Sequence, residues 1–189
     1  SGLYRVIDKG VKFIMAYSTV NKHTDFFNTK LYSGTSNSSD ALTGIGHQPD
    51  FVWLKSRSNA AWHILTDSVR GVDSQVYTNS SSAAGSLTNY LESFDSDGFT
   101  INNNTDINGS GKTFVGWSWK AGTTSGLSGG TITPSSYSIN TTAGFGIYKY
   151  TGNGNSGATI AHGLGKVPTM IWVKKLDAGK EWQIYHQAM

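Results

Sequence analysis

Apolar residues come in short runs along this chain, and clusters of Gly, Asn, Asp and Ser separate them, a pattern that predicts strands joined by turns. Strands are expected over Phe27 to Ser33, Phe51 to Lys55, Ala61 to Thr66, Leu87 to Phe94, Phe99 to Asn102 and Thr113 to Lys120. Turns are expected at Gly44-Ile45-Gly46, Asp97-Gly98 and Asn108-Gly109-Ser110-Gly111. FVWLK is apolar on both faces and should lie deep in a sheet covered on both sides. TFVGWSWK alternates, with Val115, Trp117 and Trp119 on one face and Phe114, Gly116 and Ser118 on the other, and the tryptophan face is expected to be buried. At the N-terminus, LYRVI and VKFIMAY flank an Asp-Lys-Gly turn and predict a hairpin.

One short pattern is spelled twice. GIGHQPDFVWLK at 44–55 returns as HGLGKVPTMIWVKK at 162–175, placing Pro49 on Pro168, Trp53 on Trp172 and Lys55 on Lys174. Upstream, Phe27, Tyr32 and Gly34 fall on Phe145, Tyr150 and Gly152; downstream, Trp62 and Ile64 fall on Trp182 and Ile184. A repeat of about 120 residues is too long for a solenoid unit and suits a small β domain. The expected fold is all-β, an antiparallel β-sandwich of the jelly-roll or concanavalin-like kind, with one complete domain and a partial second copy. The expected layout is a hairpin at 1–20, the complete sandwich at 21–121, a Gly/Ser/Thr-rich linker at 122–144 to which Ile132, Tyr137 and Ile139 could give short strand character, and a truncated repeat at 145–189. Trp53, Trp62, Trp172 and Trp182 are expected in the core.

Composition narrows the classes. Charged residues are only 14% of the chain and aromatics reach 12%. The net charge of +3 is spread over scattered lysines and arginines, so nucleic acid is not an expected partner. No apolar run is long enough for a membrane helix, and a membrane is not an expected partner either. There is no cysteine, which removes disulfides, thiol catalysis and thiolate metal sites.

The stretches from Met15 (MAYSTVNKHTDFFNTKLYSG), GIGHQPDFVWLKSRS, HILTDSVRG, YLESFDSDGFTINNN, NGSGKTFVGWSWKAG and TTAGFGIYKYTGNGNSGATIAHGLGKVPTMIWVKK resemble repeat domains of unknown function found in tail-fibre and other structural proteins of marine phages. The resemblance implies a β-sandwich module strung along a virion appendage, hence a virion or extracellular location. It carries no catalytic residues. The residues before Met15 look foreign to that family and are expected to derive in part from a tag or from upstream reading.

Candidate chemistry is sparse. Hydrolysis of a polysaccharide calls for paired carboxylates, and ESFDSDG offers Glu92 and Asp95. The oxygen-rich turn makes Asp95 and Asp97 the candidates for a calcium ion, the one cofactor considered. An Asp-rich hairpin turn whose side chains bond the backbone is the competing structural reading. His63, Asp67 and Ser68 in HILTDS are neighbours on one strand and cannot converge as a triad. Sugar rings stack on exposed aromatic faces, and Tyr77, Tyr90 and Tyr185 are the residues expected to reach solvent for a glycan ligand. The expected function is a non-enzymatic structural or adhesive module that binds host-surface carbohydrate; the alternative is a hydrolase of polysaccharide or ester using loop carboxylates. Burying Met170, Ile171, Trp172 and Val173 is worth about 1.5–3 kcal/mol per side chain. Residues 145–189 are therefore expected to complete a sheet with the hairpin at 3–17 or to exchange strands with another copy, giving a dimer or trimer.

Overall fold

The computed structural model describes residues 3–8, 11–16, 20 and 22–189, the first two segments as backbone. Its strands, in chain order, are β1 (Leu3–Asp8), β2 (Val11–Ala16), β3 (Phe27–Ser33), β4 (Asp40–Thr43), β5 (Phe51–Ser56), β6 (Ile64–Asp67), β7 (Gly71–Tyr77), β8 (Gly85–Ser86), β9 (Leu91–Asp95), β10 (Gly98–Ile101), β11 (Thr113–Trp119), β12 (Ser136–Asn140), β13 (Phe145–Lys149), β14 (Met170–Val173) and β15 (Gln183–His186). A 3-10 turn spans His23–Asp25, and a single α-helical turn, α1 (Thr105–Asn108), starts where the Asn104 side chain accepts the Asp106 N–H. The fold is all-β and every strand pair is antiparallel.

A six-stranded sheet in the order β3-β11-β5-β6-β7-β8 packs against a three-stranded sheet in the order β4-β10-β9. The core between them joins Val52 and Leu54 of β5 and Ile64 of β6 to Phe99 and Ile101 of β10 and Leu91 of β9. Ile45, Tyr90 and Ile107 close its ends. On β11 the face turned inward is Phe114, Gly116 and Ser118, and Gly116 suits a tight place there, with Leu54 Cδ2 and Phe99 Cζ only 3.0 and 3.2 Å from the position a Cβ would take. This reverses the expected sidedness of that strand. Trp117 and Trp119 stand on the outer face, beside Phe51 and Trp53 of β5.

That outer face is aromatic and is covered by the C-terminal residues. Phe145 meets Phe51 edge-on at 5.5 Å and lies 6.1 Å from Trp119, while Trp172 meets Trp53 edge-on at 5.9 Å. FVWLK is thus covered on both faces, by the second sheet on one side and by residues 145–172 on the other. Residues 122–144, anticipated as a linker, include β12, which pairs with β13. Asp50 ties this segment to the sandwich, accepting the Ser138 hydroxyl, the Ser68 hydroxyl and the Ala121 N–H at 3.1, 2.8 and 2.8 Å. The N-terminal hairpin forms as β1 and β2, and among the described strands none joins it, so β13 to β15 do not extend it into a sheet. Its expected turn at Lys9 and Gly10, residues 1, 2 and 17–19 of the expected 1–20 unit, and residue 21 lie outside the described residues.

The Gly-x-Gly corners do what their sequence implies. Gly44 and Gly46 have φ of 78° and 90°, and Gly163 and Gly165 have 64° and 71°, a left-handed backbone that turns the chain ahead of each proline. In the first corner the Asp97 carboxylate accepts both the Gly44 and Gly46 N–H groups, at 3.0 and 2.6 Å, and these two bonds hold its pKa below the usual carboxylate value. HILTDS makes no triad: the buried Asp67 carboxylate is paired with Arg70 at 2.7 Å, and Ser68 bonds Asp50.

Behind the same corner, His47 is 3% exposed. Its Nδ1–H donates to the Thr24 carbonyl at 2.8 Å, and its Nε2 has no partner. Burial lowers its pKa, the Thr24 bond opposes that, Lys120 adds to it, and Asp50 and Asp25 oppose it. Below an unfolded value of 6.5 the unfolded chain therefore binds a proton that folded His47 refuses, and stability declines as pH falls. We expect thermal melting of the wild type to drop between pH 6.5 and about pH 5, and His47→Asn, which keeps a donor for Thr24 and removes the titration, to drop less over that interval.

Candidate functional site

The turn that follows β7 reads TNSSS, polar and short, and its backbone is held from two directions. On the sandwich side, Thr78 N–H donates to the His63 carbonyl at 3.0 Å, and the Asn79 side chain accepts the His63 N–H at 3.0 Å. From the C-terminal side, Lys174 Nζ donates to the Ser81 and Lys180 carbonyls at 2.9 and 2.6 Å, Leu176 accepts the Ala84 N–H at 2.8 Å, and Trp182 Nε1–H donates to the Tyr77 carbonyl at 2.9 Å. These bonds clasp the β14–β15 hairpin onto the turn.

Between the two sides runs an open groove of about 480 Å³ lined by Trp62, Thr78, Asn79, Ser80, Ser81, Glu181 and Trp182. Trp62 is 45% exposed and packs against the Tyr77 ring at 5.2 Å, so one indole is both anchored and open to solvent. Trp182 is half-buried and lies edge-on to Trp172 at 6.1 Å. Trp53 Nε1–H donates to the Thr78 hydroxyl at 3.0 Å, which fixes that side chain at the groove floor. Glu181 is exposed and makes no ion pair or side-chain hydrogen bond among the described residues. The arrangement offers two indoles, hydroxyls, one amide and one free carboxylate on a shallow surface.

The four recurring tryptophans are not core residues. Trp62 and Trp172 are 45% and 37% exposed; Trp53 stands on the outer face of β5, whose aliphatic side chains Val52 and Leu54 fill the sandwich, and Trp172 meets it there from β14. The predicted aromatic site residues are scattered. Tyr77 braces Trp62 beneath the groove. Tyr90 is 3% exposed, its hydroxyl donating to Asp106 at 3.2 Å, so its ring offers no face to a ligand; burial raises its pKa. Tyr185 is 51% exposed on β15, opposite Ile171.

The acidic residues are turned to internal use. Glu92 accepts the Ser39 hydroxyl at 2.6 Å, Asp95 accepts those of Ser93 and Thr100 at 2.7 Å each, and Asp97 caps the Gly44–Gly46 corner. None of the three lines the groove. Among the described residues no three His, Asp or Glu side chains come together in a way that would hold a metal ion. Sequence reasoning missed Trp62, Glu181 and Trp182 as a group. Their signal was present in the recurrence of Trp62 as Trp182, read there as packing.

Two facing antiparallel sheets and an aromatic outer layer define an all-β protein with the architecture of a β-sandwich. The chain belongs to a domain family of unknown function, DUF7483, whose family model matches residues 22–189. No curated protein and no solved structure matches it.

Lys174 has its amine on two carbonyls, so Lys174→Met keeps the aliphatic stem and deletes both bonds. We expect the loss of about 1–2 kcal/mol of local stability, read as hydrogen exchange at the Ala84 amide that is faster by roughly tenfold while exchange at Val52 in the core is unchanged.

Proposed function

We propose that this protein is a non-catalytic adhesive module that holds carbohydrate against Trp62 and Trp182, on a virion appendage or another extracellular surface. The observation that carries the reading is the groove itself: open indoles supply the apolar faces on which sugar rings stack, and Asn79, Ser80 and Ser81 supply donors and acceptors for hydroxyl groups. A shallow polar groove suits a chain of sugars better than an enclosed apolar ligand. Glycoside hydrolysis draws on two carboxylates flanking one bond, and Glu181 is the single carboxylate lining the groove. Glu92 and Asp95, the pair considered for hydrolysis, accept internal hydrogen bonds elsewhere. The appendage setting follows from the resemblance to phage structural repeats.

Self-association accompanies this reading. Met170, Ile171, Trp172 and Val173 of β14 are 36 to 48% exposed, and among the described strands none pairs with either outer edge of the β14–β15 pair. The β5–β6 pair, which holds the matching sequence, is flanked by β11 and β7. The edge of β14 in one chain is read as pairing with that of a second copy, which satisfies the edge's backbone groups and sets the apolar side chains of the two chains next to each other.

Two measurements test these readings. In a glycan array followed by calorimetric titration, binding without turnover is expected, and Trp62→Ala should weaken it by about tenfold; release of reducing sugar, or no loss on substitution, contradicts the assignment. Light scattering across a concentration series should give a dimer that Ile171→Lys converts to monomer, and a wild-type monomer at every concentration overturns the edge pairing.

A further inference from the structure

The groove contains a charge that the fold does not use. Asp50, Asp67, Asp95, Asp97 and Glu92 each accept hydrogen bonds that hold the chain together, whereas Glu181 has no partner among the described residues and stands beside two indoles. The nearby lysines form no ion pair with it among the described residues: Lys174 spends its amine on the Ser81 and Lys180 carbonyls, Lys175 lies 3.7 Å from Asp177, and Lys180 enters no ion pair. An indole face attracts a cation through its quadrupole, and a carboxylate at the same spot adds a charge-assisted hydrogen bond.

We propose that the ligand is an amino sugar with its amine free and protonated, as in a glucosamine oligomer, seated with a ring on Trp62 and its ammonium on Glu181. This rests on the carbohydrate reading and names the ligand class within it. An N-acetylated sugar presents no charge to Glu181, and a uronic acid presents the same sign of charge. The groove therefore ranks glucosamine oligomers first, N-acetylated or neutral oligomers next and uronic acid oligomers last.

Calorimetric titration of the full chain with glucosamine, N-acetylglucosamine and galacturonic acid oligomers of equal length tests the ranking. The wild type is expected to bind the glucosamine oligomer about tenfold tighter than the acetylated one, less so as salt is raised. Glu181→Gln, an exposed substitution, should erase that preference by bringing the affinity for the glucosamine oligomer down to that for the acetylated one. Trp62→Ala should weaken both. If the wild type binds the two equally, or if Glu181→Gln keeps the preference, the amino-sugar assignment falls and the carbohydrate reading stands. If no oligomer binds, both fall.

Discussion

Strand β5 has no polar face. Val52, Leu54 and Ser56 point between the sheets, where the first two meet Phe99 and Ile101, and Phe51 and Trp53 point the other way. A two-layer sandwich can bury only one of those faces, and burying a large aromatic side chain is worth about 1.5–3 kcal/mol, so the outer face demands a cover of its own. Residues 136–182 provide it, laying Phe145 on Phe51 and Trp119 and Trp172 on Trp53. The aromatic seam is what couples the C-terminal strands to the sandwich, and the polar contacts of Asp50, Lys174 and Trp182 fix its register.

Much of this was legible in the chain itself. Period-two alternation and turn chemistry located β3, β5, β9, β10 and β11, and the all-β antiparallel class followed. The short strands β4 and β7 were missed because DALT and GVDSQVY carry few large apolar residues; their place in the sheets comes from partners distant in sequence. Gln75 shows why: it is fully buried, yet polar, since its amide accepts the Leu87 N–H and donates to the Leu87 carbonyl. Sidedness was harder than strand content. On TFVGWSWK the larger side chains suggest the buried face, but the sheet-to-sheet distance admits Gly116 and Ser118 opposite Phe99 and excludes the indoles.

Residues 122–144 show the same limit in another form. Gly, Ser and Thr dominate there, which reads as linker, yet Ser138 and Ile139 are buried. Their ordering comes from Asp50, seventy to ninety positions earlier in the chain by the separations of its bonds to Ala121 and Ser138. The repeated stretches are alike locally and unlike in surroundings. Trp53 opposes Leu65 and Trp172 opposes Ile184, so each runs into an antiparallel hairpin. The first is held inside six strands, and the second stands as a pair with both faces half open.

The groove follows from how the two parts are joined. Had the cover been a full sheet, its strands would have met the outer face side by side and sealed the indoles under it. Instead the contact is made by separate aromatic side chains meeting edge-on and by a lysine reaching over to two carbonyls, and such contacts leave space between the elements that make them. The space falls at the turn after β7, where TNSSS cannot fill it with apolar volume, so its walls are hydroxyl and amide groups under two indoles. The result is a surface that sets two indoles beside hydroxyl and amide groups of a single turn. Both indoles are anchored through one residue, since Tyr77 packs its ring behind Trp62 and its carbonyl accepts the Trp182 Nε1–H, so the spacing of the two rings is tied to the end of β7.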